Sequence, residues 1–304
     1  MPFPLRIALR TIVSLLAISL VAFIVIAAMP SDPVAIAIRT WNLPATDQTV
    51  AALRAQWGLD LPLAQRYLAW LTRFLGGNWG TSFRTGEPVL SEFARRLPLS
   101  LLIGLSGLAL ALVAAVPLGF AAALNPRGLA DRATRVLAVF VQAVPSIWLG
   151  LILIWVLGVH FRLIRPFGHD AGSLVLPILL IGLHSTAVLA RVYRRDLIHV
   201  TTQPFFRTAL AKGNSRSAAL WRHGHGHAVY ALLSAFRAEA GWAIGSTAAI
   251  EVLFGLPGIS QFLVESIAAR DYAVLQAYVM VVALWLILMN AIVEGALHWL
   301  DPRT

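Results

Sequence analysis

The chain has 304 residues, of which 59% are apolar and only 12% are charged, and its formal net charge is +10. A soluble globular domain carries about twice that charged fraction, so the composition excludes an ordinary water-soluble fold and indicates a membrane protein. The absence of cysteine excludes structural disulfides, thiolate nucleophiles and cysteine-bound zinc.

Six stretches of the chain are apolar enough to cross a bilayer, whose hydrocarbon core of roughly 30 Å needs about 20 helical residues. The predicted spans are residues 11–29, 97–124, 136–159, 174–190, a stretch within 229–253, and 273–297. The first run is uncharged and ends in Met29-Pro30-Ser31-Asp32-Pro33, which favours a retained anchor over a cleaved signal peptide. We therefore predict an all-α polytopic membrane protein with six transmembrane helices.

The positions of the basic residues predict the orientation of these spans, because cytoplasmic connectors are enriched in Lys and Arg. Arg6 and Arg10 precede the first span, and three arginines lie within residues 127–135 between the second and third. The connector 191–227 carries seven Lys and Arg residues against the single acid Asp196. We expect both termini and this connector to be cytoplasmic, facing anionic lipid and a protein partner. Basic residues scattered over connectors do not indicate nucleic-acid binding.

The outer segment, residues 30–96, is predicted to form an extracytoplasmic cap of short helices rather than a separate domain. Thr46 or Asp47 is the predicted N-cap of one of these helices. Another predicted helix places four leucines near one face: Leu61, Leu68, Leu71 and Leu75. That face is expected to pack on the bundle or to lie in the membrane interface.

Motifs for catalysis and metal binding are absent from the sequence. There is no G-x-x-x-x-G-K-[ST] phosphate loop and no H-E-x-x-H, and Lys212 is the only lysine. His223 and His227 are four residues apart, but Gly224 and Gly226 disfavour a helix that would bring them together. We therefore interpret 223–227 as a partly solvated loop end, leaving the role of its three histidines open. We expect no catalytic residue, no metal site and no cofactor bound by this chain.

Ionisable residues inside apolar spans usually face a partner or a polar cavity, because burying charge in lipid costs at least about 2.5 kcal/mol. Glu251 lies in the fifth predicted span and His184 in the fourth. Each has a structural interpretation, pairing within the bundle, and a functional one, contact with a transported solute. Together with Ser146 they are our candidate residues for a translocation path.

The connector between the fourth and fifth spans carries a motif, Arg207-Thr208-Ala209-x-Ala211-Lys212-Gly213, followed by Arg222-His223. It resembles the coupling loop of binding-protein-dependent ABC importers, and most closely that of the peptide/nickel permease family. Further segments resemble this family in order along nearly the whole chain: Ser31-Asp32-Pro33, Gly58 to Leu63, Gly77 to Ser82, Arg96-Leu97-Pro98, Pro117-Leu118-Gly119, Pro145 to Gly150, Phe254 to Gly258, Ala269 to Tyr272, and Leu300 to Arg303. The segment 224–228 and the pair Tyr230-Ala231 depart from the family pattern.

The resemblance implies the type I ABC importer permease fold, with an N-terminal segment and first helix at 1–29, an outer segment at 30–96 and a permease core at 97–304. It also implies that a coupling segment at about 200–227 inserts into a cytoplasmic ATPase. The residues implied in coupling are Arg207, Thr208, Ala209, Ala211, Lys212, Gly213 and Arg222. Ala209 and Gly213 are expected to permit close backbone approach to that partner.

The same resemblance implies the rest of the assembly, in a bacterial inner membrane. It consists of a second homologous permease, two cytoplasmic ATPase subunits that carry ATP and Mg²⁺, and an extracytoplasmic solute-binding protein. Whether the two ATPases are identical stays open. The residues implied in docking the solute-binding protein are Phe254, Pro257, Arg270, Asp271 and Tyr272.

For the substrate, Asn42-Leu43-Pro44-x-Thr46 resembles nickel and metal-chelate importers more than general dipeptide importers. We expect nickel or a metal chelate, with dipeptides or oligopeptides as the alternative. Two other classes of protein fit the sequence less well than an importer permease. A membrane-embedded hydrolase would rely on Ser106 and His184, and an ion-driven secondary transporter would show inverted repeats, which the sequence lacks.

Overall fold

The computed structural model describes residues 3–29, 32–165, 167–168 and 171–300. Ser31 of the first family motif and Asp301, Pro302 and Arg303 of the last lie outside the described residues. From the N-terminus the helices are α1 (Phe3–Ala27), α2 (Pro33–Thr40), α3 (Asp47–Trp57), α4 (Leu63–Leu75), α5 (Val89–Leu124), α6 (Leu129–Ala143), α7 (Ser146–Leu153), α8 (Val175–Val200), α9 (Pro204–Ala211), α10 (Arg216–Ala219), α11 (His225–Phe254), α12 (Ile259–Ala268) and α13 (Tyr272–Leu300). A π-helical segment, Ile154–His160, continues α7, and a second one, Leu220–Gly224, joins α10 to α11.

Among the described residues, four continuous helices are long and apolar enough to cross a membrane. They are Leu9–Ala27, Val89–Leu124, Gly172–Val200 and Tyr272–Leu300. Two further stretches qualify only as interrupted pairs, Leu129–Ala143 with Ser146–His160 and Arg216–Phe254 with Ile259–Ala268. Counting each pair as one crossing gives six, so the predicted all-helical polytopic fold is confirmed.

The third predicted span, residues 136–159, is broken rather than continuous. The helices α6 and α7 meet at a bend of 102°. Val144 at the break is extended, with φ −99° and ψ 119°, because the ring of the following Pro145 disfavours the helical conformation before it. Beyond the break, a Cβ on the buried Gly150 would collide with the Leu253 side chain, so the glycine lets α7 lie close to α11.

The chain divides into two compact units. Unit 1 comprises Met1–Pro98 and Pro257–Ile287, and unit 2 comprises Leu99–Leu256 and Leu288–Thr304. In unit 1, the start of α5 packs against α12 and the start of α13 through the buried side chains of Val89, Phe93, Ile259, Phe262, Val274 and Ala277. The rings of Phe93 and Phe262 meet edge to face, with centroids 6.2 Å apart.

The outer segment of unit 1 forms the predicted short helices α2, α3 and α4. Thr46 is the N-cap of α3, because its hydroxyl accepts a 3.2 Å hydrogen bond from the backbone N–H of Thr49. No residue of α4 is buried, and Leu68 and Leu75 are among its exposed side chains. The leucine face of α4 is therefore not packed on this chain, and its position in the membrane interface stays a prediction.

In unit 2, α5 and α8 approach each other closely at two glycines. A Cβ on Gly107 would lie 2.6 Å from an Ile181 side-chain atom, and one on Gly182 would lie 2.7 Å from Leu110. Small residues at helix crossings are typical of membrane proteins, where close backbone packing replaces the hydrophobic effect as the source of helix association. Leu189, Tyr193 and Leu197 of α8 then form a buried cluster with Leu220 and Leu232.

The segment 223–227 is helical, so our interpretation of it as a loop end is wrong. A π-helical turn at Leu220–Gly224 runs directly into α11. The packing explains why Gly224 is tolerated: it is buried, and a Cβ there would lie 3.2 Å from the Val200 side chain. Glycine destabilises a helix interior by about 1 kcal/mol relative to alanine. At Gly224 this loss is offset because the missing side chain lets the helix pack closely against the end of α8.

Candidate functional site

The segment implied in coupling begins with a short helix that is anchored in the core of unit 2. The helix α9 has Pro204 at its first position, where its missing N–H costs no hydrogen bond and its fixed φ suits a helix. Phe206 and Ala209 point inward and belong to the same buried cluster as Leu220. Ala209 is only 5% exposed and packs on its own chain, and the expectation that its small size permits close backbone approach to a partner stays a prediction.

A left-handed glycine ends α9. Gly213 has φ +86°, and its N–H donates to the Leu210 carbonyl at 2.9 Å. Asn214 bonds the Ala209 carbonyl twice, through its backbone N–H at 3.3 Å and its side-chain amide at 3.0 Å. The two backbone bonds form the Schellman arrangement that closes helix C-termini. Nothing lies within 4 Å of a Cβ built on Gly213, so its backbone conformation alone requires glycine.

The outward face of α9 and its closing turn is cationic and partly apolar. Arg207, Thr208, Ala211 and Lys212 are exposed, as is Arg222 in the nearby π-helical turn. Phe205 and Leu210 on the same helix are 41% and 40% exposed. Within the part of the chain that the structure describes, neither Arg207 nor Lys212 forms an ion pair. A rigid, positively charged projection of this kind suits an acidic protein surface.

The three histidines beside this projection have separate surroundings. The Nδ1 atom of His225 and the Tyr193 hydroxyl are 2.5 Å apart, and the His225 ring stacks on Trp221 at a centroid distance of 4.4 Å. His227 lies against Phe205, and His223 is exposed. Among the described residues, no group of three or more His, Cys, Asp or Glu side chains could hold a metal ion. The histidines therefore contribute to helix packing and to the exposed surface.

Two buried carboxylates lie in the apolar helices of unit 2. The Glu251 carboxylate is completely buried and accepts a 2.6 Å hydrogen bond from the Ser100 hydroxyl. The Glu239 carboxylate is 7% exposed and accepts a 2.7 Å bond from the Ser185 hydroxyl. Each bond joins α11 to another helix, α5 or α8. Both carboxylates are thus at least partly structural, including that of Glu251, for which the sequence left the question open.

His184 and Ser146, the other candidates for the path, occupy half-buried positions in unit 2. The His184 ring stacks on Trp242 at a centroid distance of 3.7 Å, and its Nδ1 atom is buried with no hydrogen-bond partner in the described structure. His184 forms no hydrogen bond with Ser106, so the described residues contain no nucleophile and base pair of the kind that a hydrolase needs there. Ser146 begins α7, which packs against both α8 and α11.

A third buried carboxylate was missed by the sequence analysis. Asp131 of α6 is completely buried, pairs with Arg194 of α8, and pairs with Arg135 at 3.2 Å. It also accepts a 2.7 Å bond from the backbone N–H of Arg127, which has φ +70°. The four-residue spacing of Asp131 and Arg135 is visible in the sequence and is typical of an ion pair within one helix. The pairing of Asp131 with Arg194 of α8 is not visible there. This network fixes the turn between α5 and α6 to α8.

The residues implied in docking the solute-binding protein divide into exposed and buried ones. Pro257 and Arg270 are exposed, and Arg270 has φ +53°. Phe254, Asp271 and Tyr272 are buried, at 1%, 0% and 9% exposure, so any contact they make with the binding protein stays a prediction. Asp271 caps α13: its carboxylate accepts the Val274 N–H at 3.4 Å, and the Ser82 hydroxyl also donates to it.

Comparison with known proteins gives two family matches that together span nearly the whole chain. Residues 115–304 match the family described as "Binding-protein-dependent transport system inner membrane component". Residues 1–104 match the N-terminal family of the same membrane components.

Individual relatives are similar over almost their full length. The chain is 29% identical to a probable peptide ABC transporter permease protein, y4tP, of Sinorhizobium fredii, over 98% of this chain and 97% of the relative. It is 30% identical to the glutathione transport system permease protein GsiC of Salmonella choleraesuis, over 99% and 97%. The corresponding GsiC of Escherichia coli K12 is 29% identical, over 97% and 95%. The chain therefore belongs to the family of binding-protein-dependent transport system inner membrane components, as a multi-pass inner-membrane permease of the peptide/nickel type with the type I ABC importer fold.

Proposed function

We propose that this permease carries a peptide-type solute across the membrane as one of two related permease subunits of an ABC importer. The names of its relatives support this substrate class, since one is described as a peptide permease and others as glutathione permeases. Glutathione is itself a tripeptide, so both descriptions share one chemistry. They support the peptide alternative better than the nickel or metal chelate that the sequence analysis put first.

The motif that favoured nickel also has a local explanation. Thr46 of Asn42-Leu43-Pro44-x-Thr46 is the N-cap of α3, and Asn42 has φ +50°, a conformation that asparagine tolerates better than most residues. The Leu43 N–H closes the end of α2 on the Ile38 carbonyl at 3.0 Å. These residues are what a tight α2–α3 connection needs, so their presence carries little information about the solute.

Energy for transport comes, in this proposal, from ATP hydrolysis on separate ATPase subunits that hold the α9 segment. The observation that carries the proposal is the construction of that segment: an exposed cationic helix, anchored by Phe206 and Ala209, that ends rigidly at Gly213. A segment that transmits motion from one protein to another must be anchored in its own chain and exposed to the partner. Arg207 and Lys212 would steer and orient the ATPase, since exposed charges act more on association rate than on affinity.

The proposed path for the solute runs past the buried polar groups of unit 2. Its ionisable groups are the sequence candidates Glu251 of α11 and His184 of α8, together with the buried Glu239 of α11. Ser146, at the start of α7 beyond the break, adds a hydroxyl. Polar groups in apolar helices line solute paths in many transporters. Alternating access would open this path outward when ATP closes the ATPases and inward after hydrolysis.

The orientation in this proposal follows the basic residues. Both termini and α9 lie in the cytoplasm, and α2 to α4 lie outside, where a solute-binding protein delivers the solute. The region from Phe254 to Tyr272 is the proposed contact with that protein, and within it Pro257 and Arg270 are exposed.

The substrate class is tested by uptake in a strain that lacks this permease and is complemented with it. Radiolabelled trialanine and glutathione should accumulate, and ⁶³Ni²⁺, alone or as a histidine chelate, should not. Uptake of nickel without uptake of either peptide would overturn the substrate assignment and restore the metal alternative. Complementation with Gly213→Val should abolish uptake while the protein stays in the membrane.

A further inference from the structure

Unit 1 contains a large cavity that the proposed function does not use. Its volume is about 680 Å³, and it is lined by the end of α1, the helices α2 to α4, the segment 78–83 and the start of α13. Ligand pockets for small molecules typically measure about 300–1,000 Å³. The cavity is therefore large enough for a short peptide, and all of its walls belong to one compact unit.

Aromatic rings form much of the cavity lining. Trp57 stacks on Phe83 at a centroid distance of 5.2 Å, and Trp41 meets Phe83 edge to face at 6.1 Å. The Trp41 indole N–H donates to the Phe83 carbonyl at 3.2 Å, which fixes these rings. Trp70 and Trp79 also line the cavity. Rigid aromatic walls accept apolar side chains of varied shape at small entropic cost.

The charge inside the cavity is unbalanced toward positive. Three arginines line it, Arg54, Arg66 and Arg73, against the single acid Asp32. Arg54 is neutralised, because it pairs with Asp32 at 2.8 Å. Arg73 donates through Nε to its own helix at the Ala69 carbonyl, 3.0 Å away, which leaves both terminal amino groups of the guanidinium available.

The third arginine of the cavity, Arg66, has neither a carboxylate nor a carbonyl partner among the described residues. In the ranges of the chain that the structure describes, it makes no ion pair and no side-chain hydrogen bond, although it is half-buried. Two guanidinium groups on α4 therefore line the cavity with unused donors. A guanidinium binds a carboxylate through two parallel hydrogen bonds, and such charged pairs are the strong ones in proteins.

We infer that this cavity is a binding site for the terminal carboxylate of a short peptide, held by Arg66 and Arg73 with its side chains against the tryptophan walls. The choice of a peptide rests on the proposed function, whereas the carboxylate follows from the charge of the cavity alone. The site would hold a solute on the permease itself, separately from the path through unit 2.

Equilibrium binding to the assembled transporter, without its solute-binding protein, tests the site directly. The transporter is placed in nanodiscs of phosphatidylcholine, and tritiated trialanine is compared with its C-terminal amide, which lacks the carboxylate. Trialanine should bind saturably, and the amide should bind at least about tenfold more weakly, the factor expected for one charged hydrogen-bonded pair. Equal binding of the two probes would overturn the inference.

Substitutions then locate the binding to the cavity. Arg66→Gln and Arg73→Gln should each weaken trialanine binding about tenfold, whereas Arg39→Gln, an exposed arginine of α2 outside the cavity, should not. Unchanged binding in both cavity variants would overturn the site. The comparison of the two probes on the unaltered protein does not depend on whether the variants fold.

Three further outcomes distinguish a peptide site from a lipid site, and the site from the transport function. If phosphatidylglycerol in the nanodiscs blocks trialanine binding competitively, the anion held by the arginines is a lipid phosphate and the peptide site is wrong. If trialanine binds as predicted but is not taken up by cells, the proposed function fails while the site stands. If trialanine is taken up by cells but binds the transporter no better than its amide does, the site fails while the proposed function stands.

Discussion

The Ser82 hydroxyl donates a 2.5 Å hydrogen bond to the carboxylate of Asp271, and both residues are completely buried. The Arg84 backbone N–H donates to the same carboxylate oxygen at 3.3 Å. Because the other oxygen caps α13, one side chain joins the segment 82–84 to the start of a helix 189 residues further along the chain. Asp271 is thus a structural connection within unit 1.

The stability of unit 1 should depend on pH through Asp271. Burial raises the pKa of this carboxyl above its usual value of 3.8, although the bonds from Ser82 and Arg84 oppose the shift. The folded state therefore binds the proton more tightly than the unfolded state. The stabilising contribution is fully present below pH 3.8 and is lost as the pH rises through the raised pKa of the folded state.

Asp271→Asn removes this titration and isolates it from other acids. The melting temperature of the variant, relative to that of the unaltered protein, should rise between about pH 4 and pH 8. Circular dichroism in detergent measures both proteins across that range. A difference that stays constant with pH would contradict the assignment.

Removing the Ser82 hydroxyl should destabilise the protein more than removing a hydroxyl from an exposed serine. Ser82→Ala leaves a buried carboxylate short of a donor, at a cost of about 1–3 kcal/mol. Ser91→Ala, at an exposed position of the same segment, should cost less than about 0.5 kcal/mol. Equal melting temperatures for the two variants would show that the buried bond contributes nothing.

Gly213→Ala should impair coupling because it strains the backbone, and not because the added methyl group clashes with a neighbour. The position has φ +86° and open space around it, so the added methyl meets nothing but forces a left-handed backbone that costs about 1–2 kcal/mol. Stimulation of ATPase activity by the loaded binding protein, measured in liposomes, should fall in Gly213→Ala. Gly226→Ala, a helical position that is equally open, should behave as the unaltered protein. Equal loss in both variants would contradict the conformational role of Gly213.

Gly119→Ala should disturb the contact between α5 and α8. Its Cβ would lie 2.8 Å from the Ala190 carbonyl oxygen and 2.9 Å from a ring carbon of Tyr193, and backbone atoms cannot give way cheaply. Overpacking of this kind costs about 1–3 kcal/mol and should lower the melting temperature. Gly245→Ala, where nothing lies within 4 Å, is the matched control and should be neutral. A stable Gly119→Ala protein would mean that the two helices separate easily.

Apolar length and periodicity were enough to predict the helices, because both are local properties of the sequence. The N-cap at Thr46 was readable for the same reason: its partner, Thr49, is three residues away. The break at Pro145 lies inside an uncharged run, and apolar composition alone does not distinguish one long helix from two short ones.

What the sequence did not reveal are contacts between distant residues. Gly224 looked like a helix breaker because the Val200 side chain that it accommodates is not a sequence neighbour. Ala209 looked like a contact residue because its motif resembles a coupling loop, yet only the packing of α9 shows that Ala209 points inward. The burial of Asp271 could not be predicted, because its partner Ser82 is 189 residues away in the chain.

The central claim, that the α9 turn is the cytoplasmic contact for an ATPase, can be tested with a matched pair of cysteines, because the chain has none of its own. Ala211→Cys lies at the exposed end of α9, and Ala64→Cys lies on the exposed surface of α4. A thiol cross-linker applied to the assembled transporter should join Ala211→Cys to an ATPase subunit and leave Ala64→Cys unlinked. A membrane-impermeant maleimide added outside intact spheroplasts should label only Ala64→Cys. Labelling of Ala211→Cys from outside, or its failure to cross-link to any ATPase, would contradict the account.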